Sequence, residues 1–142
     1  MPEAQHSVTI QRPIDAVFDY VADGEKGPAW RPGVLDVQRL SGDGVGTTYS
    51  QGVKGPMGRR IAADYRITTF EPNRLLEFQA IAGPVRPHGR YLFEPVDGGT
   101  RLTFTLQAEL LGLRKLLMGS MVMKTMESEV RSLDRLKGVL EA

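Results

Sequence analysis

The stretch MGSMVMKTMESEVRSLDRLKGVL, residues 118–140, decides how this chain is read. At about 100° per residue, Met118, Val122, Met126, Val130, Leu133, Leu136 and Leu140 fall on one stripe. Lys124, Glu127, Arg131, Asp134 and Arg135 fall on the opposite side. No proline interrupts the pattern, so it predicts one long amphipathic helix over about residues 113–141. Its apolar stripe needs a partner surface, and the preceding part of the chain offers one.

That part reads as strands. Residues 5–11 alternate Ser7, Thr9 and Gln11 with Val8 and Ile10. Pro13 then opens a short helix to Ala22, with Ile14, Val17, Phe18 and Val21 on one side. Asp23, Gly24 and Gly27-Pro28 end it, and the segment through Trp30-Arg31-Pro32-Gly33 is a loop or second short helix. Further strands are expected at residues 34–40, 46–53, 59–70, 75–82, 89–96 and 100–109, separated by turn signals such as Asp97-Gly98-Gly99. Connections this short imply antiparallel pairing, because parallel strands need long crossovers. Period two separates the faces. Ile61, Ala63, Tyr65 and Ile67 share a side with Leu76, Phe78, Ala80, Tyr91, Phe93, Leu102, Phe104, Leu106 and Ala108. The opposite face is a lattice of charge and threonine, as a solvated antiparallel face is. A sheet covered by one terminal helix is an α+β design.

Composition narrows the function classes. At 142 residues the chain suits one domain spanning 1–142, able to bury roughly 70% of its unfolded surface. It has no cysteine, which removes disulfides, thiolate metal sites and a cysteine nucleophile and fits a cytoplasmic setting. Eighteen Lys+Arg against 17 Asp+Glu give no global attraction to nucleic acid or anionic membrane. The apolar run at residues 110–123 is broken by Arg114 and Lys115 and is shorter than the ~20 residues a membrane span needs. Residues 1–5 lack the basic and apolar regions of a signal peptide. No His, Asp or Glu group has metal-ligand spacing, and no nucleotide-binding or nucleophile-elbow motif occurs, so neither metal nor cofactor is expected.

Several local phrases now carry a resemblance. They are Arg12 to Asp23 (RPIDAVFDYVAD), Trp30-Arg31-Pro32-Gly33-Val34, Phe70-Glu71-Pro72-Asn73-Arg74-Leu75, Phe93 to Leu102 (FEPVDGGTRL) and Leu133-Asp134-Arg135-Leu136-Lys137. In order and spacing they resemble the START-like, polyketide cyclase/dehydrase (SRPBCC) helix-grip superfamily along most of the chain. The resemblance implies a curved antiparallel sheet of about six or seven strands gripping the C-terminal helix around a cavity. It also implies a hydrophobic ligand that is polyketide-, lipid- or aromatic-like, or a cyclase, aromatase or dehydratase activity. Fold does not choose between these.

The candidate lining is Trp30, Tyr49, Tyr65, Phe78, Tyr91, Phe93 and Phe104, faced from the helix by Met118, Val122, Met126 and Glu129. Aromatic area with a few phenol hydroxyls suits a flat hydrophobic ligand, and methionine adapts to irregular shapes. Plain core packing is the commoner role for any single one of these aromatics, and three tyrosines on an otherwise apolar face shift the balance, because each hydroxyl needs a partner or water. Glu129 lies about 20° around the helix from Met118, on the side meant for the sheet. Buried, its carboxyl would have a raised pKa and could orient a ligand or move a proton. At the stripe edge it would instead reach solvent or pair with an arginine. In the enzymatic reading Glu129, Tyr65 and Tyr91 are the acid/base candidates. His6 and His88 lie far apart in sequence, and His88, in the turn region before Gly89, is expected as an exposed loop histidine and not a catalytic one. The binding reading expects a drug-sized cavity, with no nucleic acid and no stable membrane insertion. A homodimer is compatible with it. A third reading is a protein-interaction module, favoured by an apolar patch around residues 110–117.

Overall fold

A computed structural model describes residues 3–83, 85–108 and 113–142, the side chains of 113–120 excepted. The apolar patch at 110–117, the end of the last expected strand at Glu109, the turn residue Pro84 and the Met118 side chain lie outside the described residues. Strand β1 (Glu3–Ile10) leads into α1 (Ile14–Ala22), with Pro13 at the helix N-cap. A 3₁₀ turn, Gly24–Ala29, follows, and Trp30 closes it. Then come β2 (Val34–Ser41), β3 (Thr48–Lys54), β4 (Arg60–Ala62), β5 (Tyr65–Glu71), β6 (Leu75–Ala80), β7 (His88–Val96), β8 (Gly99–Gln107) and α2 (Leu113–Glu141).

All pairings are antiparallel, in the order β1-β8-β7-β6-β5-β3-β2, with β4 paired to β3. This is the helix-grip α+β fold: a curled sheet around one long C-terminal helix. The expected strand at residues 59–70 is broken at Ala63-Asp64. There the chain turns its polar groups to neighbours. Ala63 N–H donates to the Gln51 carbonyl, and the Asp64 carboxylate accepts from Gln51 N–H at 3.1 Å. The alternation through Ile61, Ala63 and Tyr65 is therefore not one continuous face. The loop-or-helix segment before Trp30 is helical, because Asp23 caps it by accepting from Glu25 N–H.

The apolar stripe of α2 lies where its spacing puts it. Leu133 and Leu136 are fully buried, Val122, Met126, Val130 and Leu140 are buried, and the opposite charges are exposed. The helix packs chiefly on β1, with β8 behind it. Its last turn is clasped to β1 and the two residues that follow it by polar bonds. Arg12 donates to the Leu140 carbonyl at 3.0 Å, Lys137 Nζ to the Thr9 carbonyl at 2.6 Å, and Gln11 N–H to Glu141 at 2.8 Å. Orphan carbonyls at a helix end need such partners. His6 adds a contact to Asp134 at 2.8 Å. His88 lies in β7, 3.6 Å from Glu77 across the β6–β7 pair, and not in a loop. The buried residues of sheet, α1 and α2 form one continuous core. Among the described residues, no helix is long and apolar enough to cross a membrane.

Candidate functional site

Register builds the aromatic wall. Tyr49 and Tyr65 are cross-strand partners on β3 and β5, and their rings stack at 4.9 Å. Tyr91 and Phe104 are partners on β7 and β8 and stack at 4.2 Å. Directly opposed aromatic pairs are the strongest contacts a sheet face offers. Phe78 joins the two pairs, 5.4 Å from Tyr65 and 6.1 Å from Tyr91. Its partner across the sheet is Gly89, where a Cβ would fall 2.0 Å from the Phe78 ring. Only glycine leaves room for the ring there. Trp30 meets Tyr91 edge-on at 6.4 Å. Val122 and Met126 are buried in the same core. Phe93, on the same face of β7, packs farther along the strand against Phe18 at 5.0 Å, in the cluster that anchors α1.

The polar heart of this wall is Arg31, a residue the sequence reading passed over as a feature of the Trp30 segment. Its side chain is only 11% exposed. Its Nε–H donates to Glu129, and its Nη1 donates to the Gln51 side-chain oxygen at 2.9 Å. Gln51 is itself buried and donates onward to the Ala63 carbonyl at 3.2 Å. The break between β4 and β5 thus supports the site. Glu129 does face the sheet, as its angle on the helix predicts, and it pairs with an arginine. Burial disfavours the Arg31 cation. The adjacent Glu129 carboxylate, the phenols of Tyr91 and Tyr65 and the Glu129 hydrogen bond outweigh it, so Arg31 is held protonated.

Tyr65, Tyr91, Trp30 and Arg31 line one small internal space with Val21 to Gly24, Gly27, Ile67 and Leu76. Its volume is about 20 Å³, room for one water-sized group. A drug-sized cavity is not enclosed by the described residues at this point. Neither the Tyr65 nor the Tyr91 hydroxyl has a hydrogen-bond partner among the described residues, although every wholly inaccessible side-chain polar atom there has one. Both residues line the space. Burial raises both phenols well above the ordinary value, partly opposed by Arg31, so both stay neutral O–H groups. Tyr49 differs. Its hydroxyl donates to the Ala22 carbonyl and accepts from Gly24 N–H, each at 3.4 Å. Burial raises its pKa too, against that Gly24 bond. Gly24 is required here, since a Cβ would lie 2.3 Å from the Tyr65 hydroxyl. On the outer side of the Tyr49–Tyr65 stack an open groove of about 290 Å³ runs past Asp19, Arg39, Asp43 and Phe70. Among the described residues no cluster of His, Asp and Glu could hold a metal ion.

Of the expected lining, Trp30, Tyr65 and Tyr91 border the space with Arg31, and Glu129 pairs with that arginine. Phe78 and Phe104 pack on the tyrosine rings, Tyr49 stacks on Tyr65, Phe93 packs on Phe18, and Val122 and Met126 lie in the same core. Arg31, Gln51 and Asp23 are the members that spacing did not reveal. Arg31 carries no periodic signal, and Gln51 is marked only by lying on an inward strand position.

Residues 1–141 match the family described as "Polyketide cyclase / dehydrase and lipid transport". Three solved structures illustrate the likeness of fold. TTHA0849 from Thermus thermophilus is 23% identical, with a TM-score of 0.82 over 96% of this chain and 95% of that one. A START superfamily protein from Mycobacterium smegmatis is 18% identical, with a TM-score of 0.80 over 98% and 97%. The ZhuI aromatase/cyclase from Streptomyces sp. R1128 is 20% identical, with a TM-score of 0.73 over 98% and 93%. No curated protein matches the chain.

Proposed function

Because the chain belongs to the polyketide cyclase/dehydrase and lipid-transport family, we propose that it binds a hydrophobic small molecule between sheet and α2, at the Arg31 end of the core. One observation carries this reading. Two neutral tyrosine hydroxyls, without partners among the described residues, and a buried arginine converge on an internal space walled by aromatic rings. A hydroxyl that borders such a space keeps its hydrogen-bonding capacity for a water or for a polar atom of a ligand. The ring wall would hold the apolar body of the ligand, and the hydroxyls and Arg31 would orient one polar atom. The enclosed volume is that of one water, so the body of a ligand displaces side chains as it binds.

The catalytic alternative, a cyclase- or dehydratase-like enzyme, needs a group that moves a proton near neutral pH. Glu129 is engaged by Arg31, and burial holds Tyr65 and Tyr91 as neutral phenols. That arrangement favours binding and orientation over proton transfer.

The only tryptophan, Trp30, lines the space and reports on it directly. Titrating the protein with 2-acetylnaphthalene, a neutral aromatic ketone, should change Trp30 emission saturably. Arg31→Met, checked by circular dichroism for an intact fold, should weaken that binding about tenfold or more, the scale of one charge-assisted hydrogen bond. Emission that never saturates, or equal affinity in the variant, counts against the site.

A further inference from the structure

The charge around the small space points to the chemical class of ligand it accepts, on the premise that the preceding binding reading holds. Arg31 lines the space but is not a free cation. Glu129 neutralises it through the Nε–H bond. A second carboxylate, Asp23, also lines the space, placed there by its N-cap bond to Glu25 N–H. The three charged groups at the site therefore carry more negative than positive charge. The hydrogen-bonding capacity has the opposite bias. Arg31 has five N–H donors, of which described residues engage the Nε–H and one on Nη1. The Tyr65 and Tyr91 hydroxyls, on residues 7% and 5% exposed, add two more donors.

We propose that this pocket selects a neutral oxygen, the carbonyl, enol or hydroxyl of an aromatic or polycyclic ligand, and rejects carboxylates, with Glu129 as the residue that sets the preference. A donor-rich, net-negative site gains hydrogen bonds from a neutral acceptor without gaining or stranding charge. A carboxylate would bring a third negative group beside Asp23, which lines the space, and Glu129, which sits against Arg31. It would have to pull Arg31 from Glu129 and leave that carboxylate uncompensated. Replacing Glu129 by glutamine keeps an oxygen for the Arg31 Nε–H bond and removes the compensating charge. Arg31 then becomes an anion receptor.

The test compares two probes with one ring skeleton, 2-acetylnaphthalene and 2-naphthoate, the latter ionised at about pH 7. Trp30 emission and calorimetry would measure both on the folded protein. The wild-type protein is expected to bind the ketone at least about tenfold more tightly than the carboxylate. Glu129→Gln is expected to raise naphthoate affinity about tenfold and so to remove or reverse the preference for the ketone. Asp23→Asn, which keeps a capping side chain, should raise naphthoate affinity by a smaller factor and tests the same idea if Glu129→Gln does not fold. Wild-type naphthoate affinity equal to or above that of the ketone overturns the selectivity while leaving the binding site standing. A folded Glu129→Gln with no gain for naphthoate overturns the role of Glu129. Failure of both probes on the wild-type protein overturns the binding reading and this proposal with it.

Discussion

The two ends of the interior that α2 closes are built on different principles. Toward the C-terminus of α2, Val130, Leu133, Leu136 and Leu140 share the apolar core with Ile10, Leu102 and Leu106, several of them with no exposed surface at all. The charged groups there sit at the margin, where Arg12, Lys137 and Gln11 N–H tie the helix end to β1 and its flank, and the buried Thr100 and Ser132 hydroxyls are satisfied by backbone carbonyls. Around Arg31 the surfaces are aromatic, a charge pair is turned inward, and two hydroxyls face a space. The dry end uses apolar burial to hold helix to sheet. The wet end gives part of the same interior to groups that stabilise little by themselves, since desolvation offsets much of what an inward ion pair gains. In one helix, stability and recognition are separated along its length.

That division is most severely challenged at the dry end. Leu136→Ala removes a side chain with no exposed surface and should cost about 2–5 kcal/mol in urea or thermal unfolding. It should leave the ketone affinity of the surviving folded protein within about twofold, since the side chain is not among those around Arg31. A large loss of binding with little loss of stability would erase the distinction between the two ends.

The wet end should show itself in alkali. The phenols of Tyr49, Tyr65 and Tyr91 are all raised by burial in the folded state. Unfolding frees them to ionise near pH 10, so above that pH the native state binds more protons than the unfolded one. Stability from Tyr65 and Tyr91 is thus complete below about pH 10. It falls by up to ~1.4 kcal/mol per pH unit for each as the pH rises above that value. Phenolate absorbance of the folded protein at about pH 11 should fall short of the urea-unfolded protein by those withheld tyrosines. Full ionisation without unfolding would mean that the hydroxyls are not enclosed. Leu136→Ala should shift the whole curve down without altering its alkaline slope.

Much of the dry end was legible in the amino-acid pattern. Seven apolar residues at helical spacing can serve only one face, and six of the seven, those with described side chains, are buried as their angles require. The strand faces were readable too, because period two leaves inward and outward sets distinct. What periodicity could not show was a departure from it. The corner at Ala63-Asp64 breaks a strand whose residues alternate well, because Gln51 across the sheet takes up the hydrogen bonds. The angle of Glu129 placed its carboxylate inward. Its partner Arg31 stands 98 residues earlier in an irregular segment, where no spacing rule links the two. The tyrosines were legible as inward residues. Which hydroxyls would be satisfied depended on Gly24 reaching Tyr49 and not Tyr65 by its N–H, a matter of ångströms.

Residue-resolved chemical shifts during titration with 2-acetylnaphthalene test the separation most directly. The expected map moves the Arg31 Nε–H, Tyr65, Tyr91 and Trp30 signals saturably and leaves Leu133, Leu136 and Leu140 within error. Shifts centred on Leu133 to Leu140, or on neither end while the ketone binds elsewhere, would contradict it.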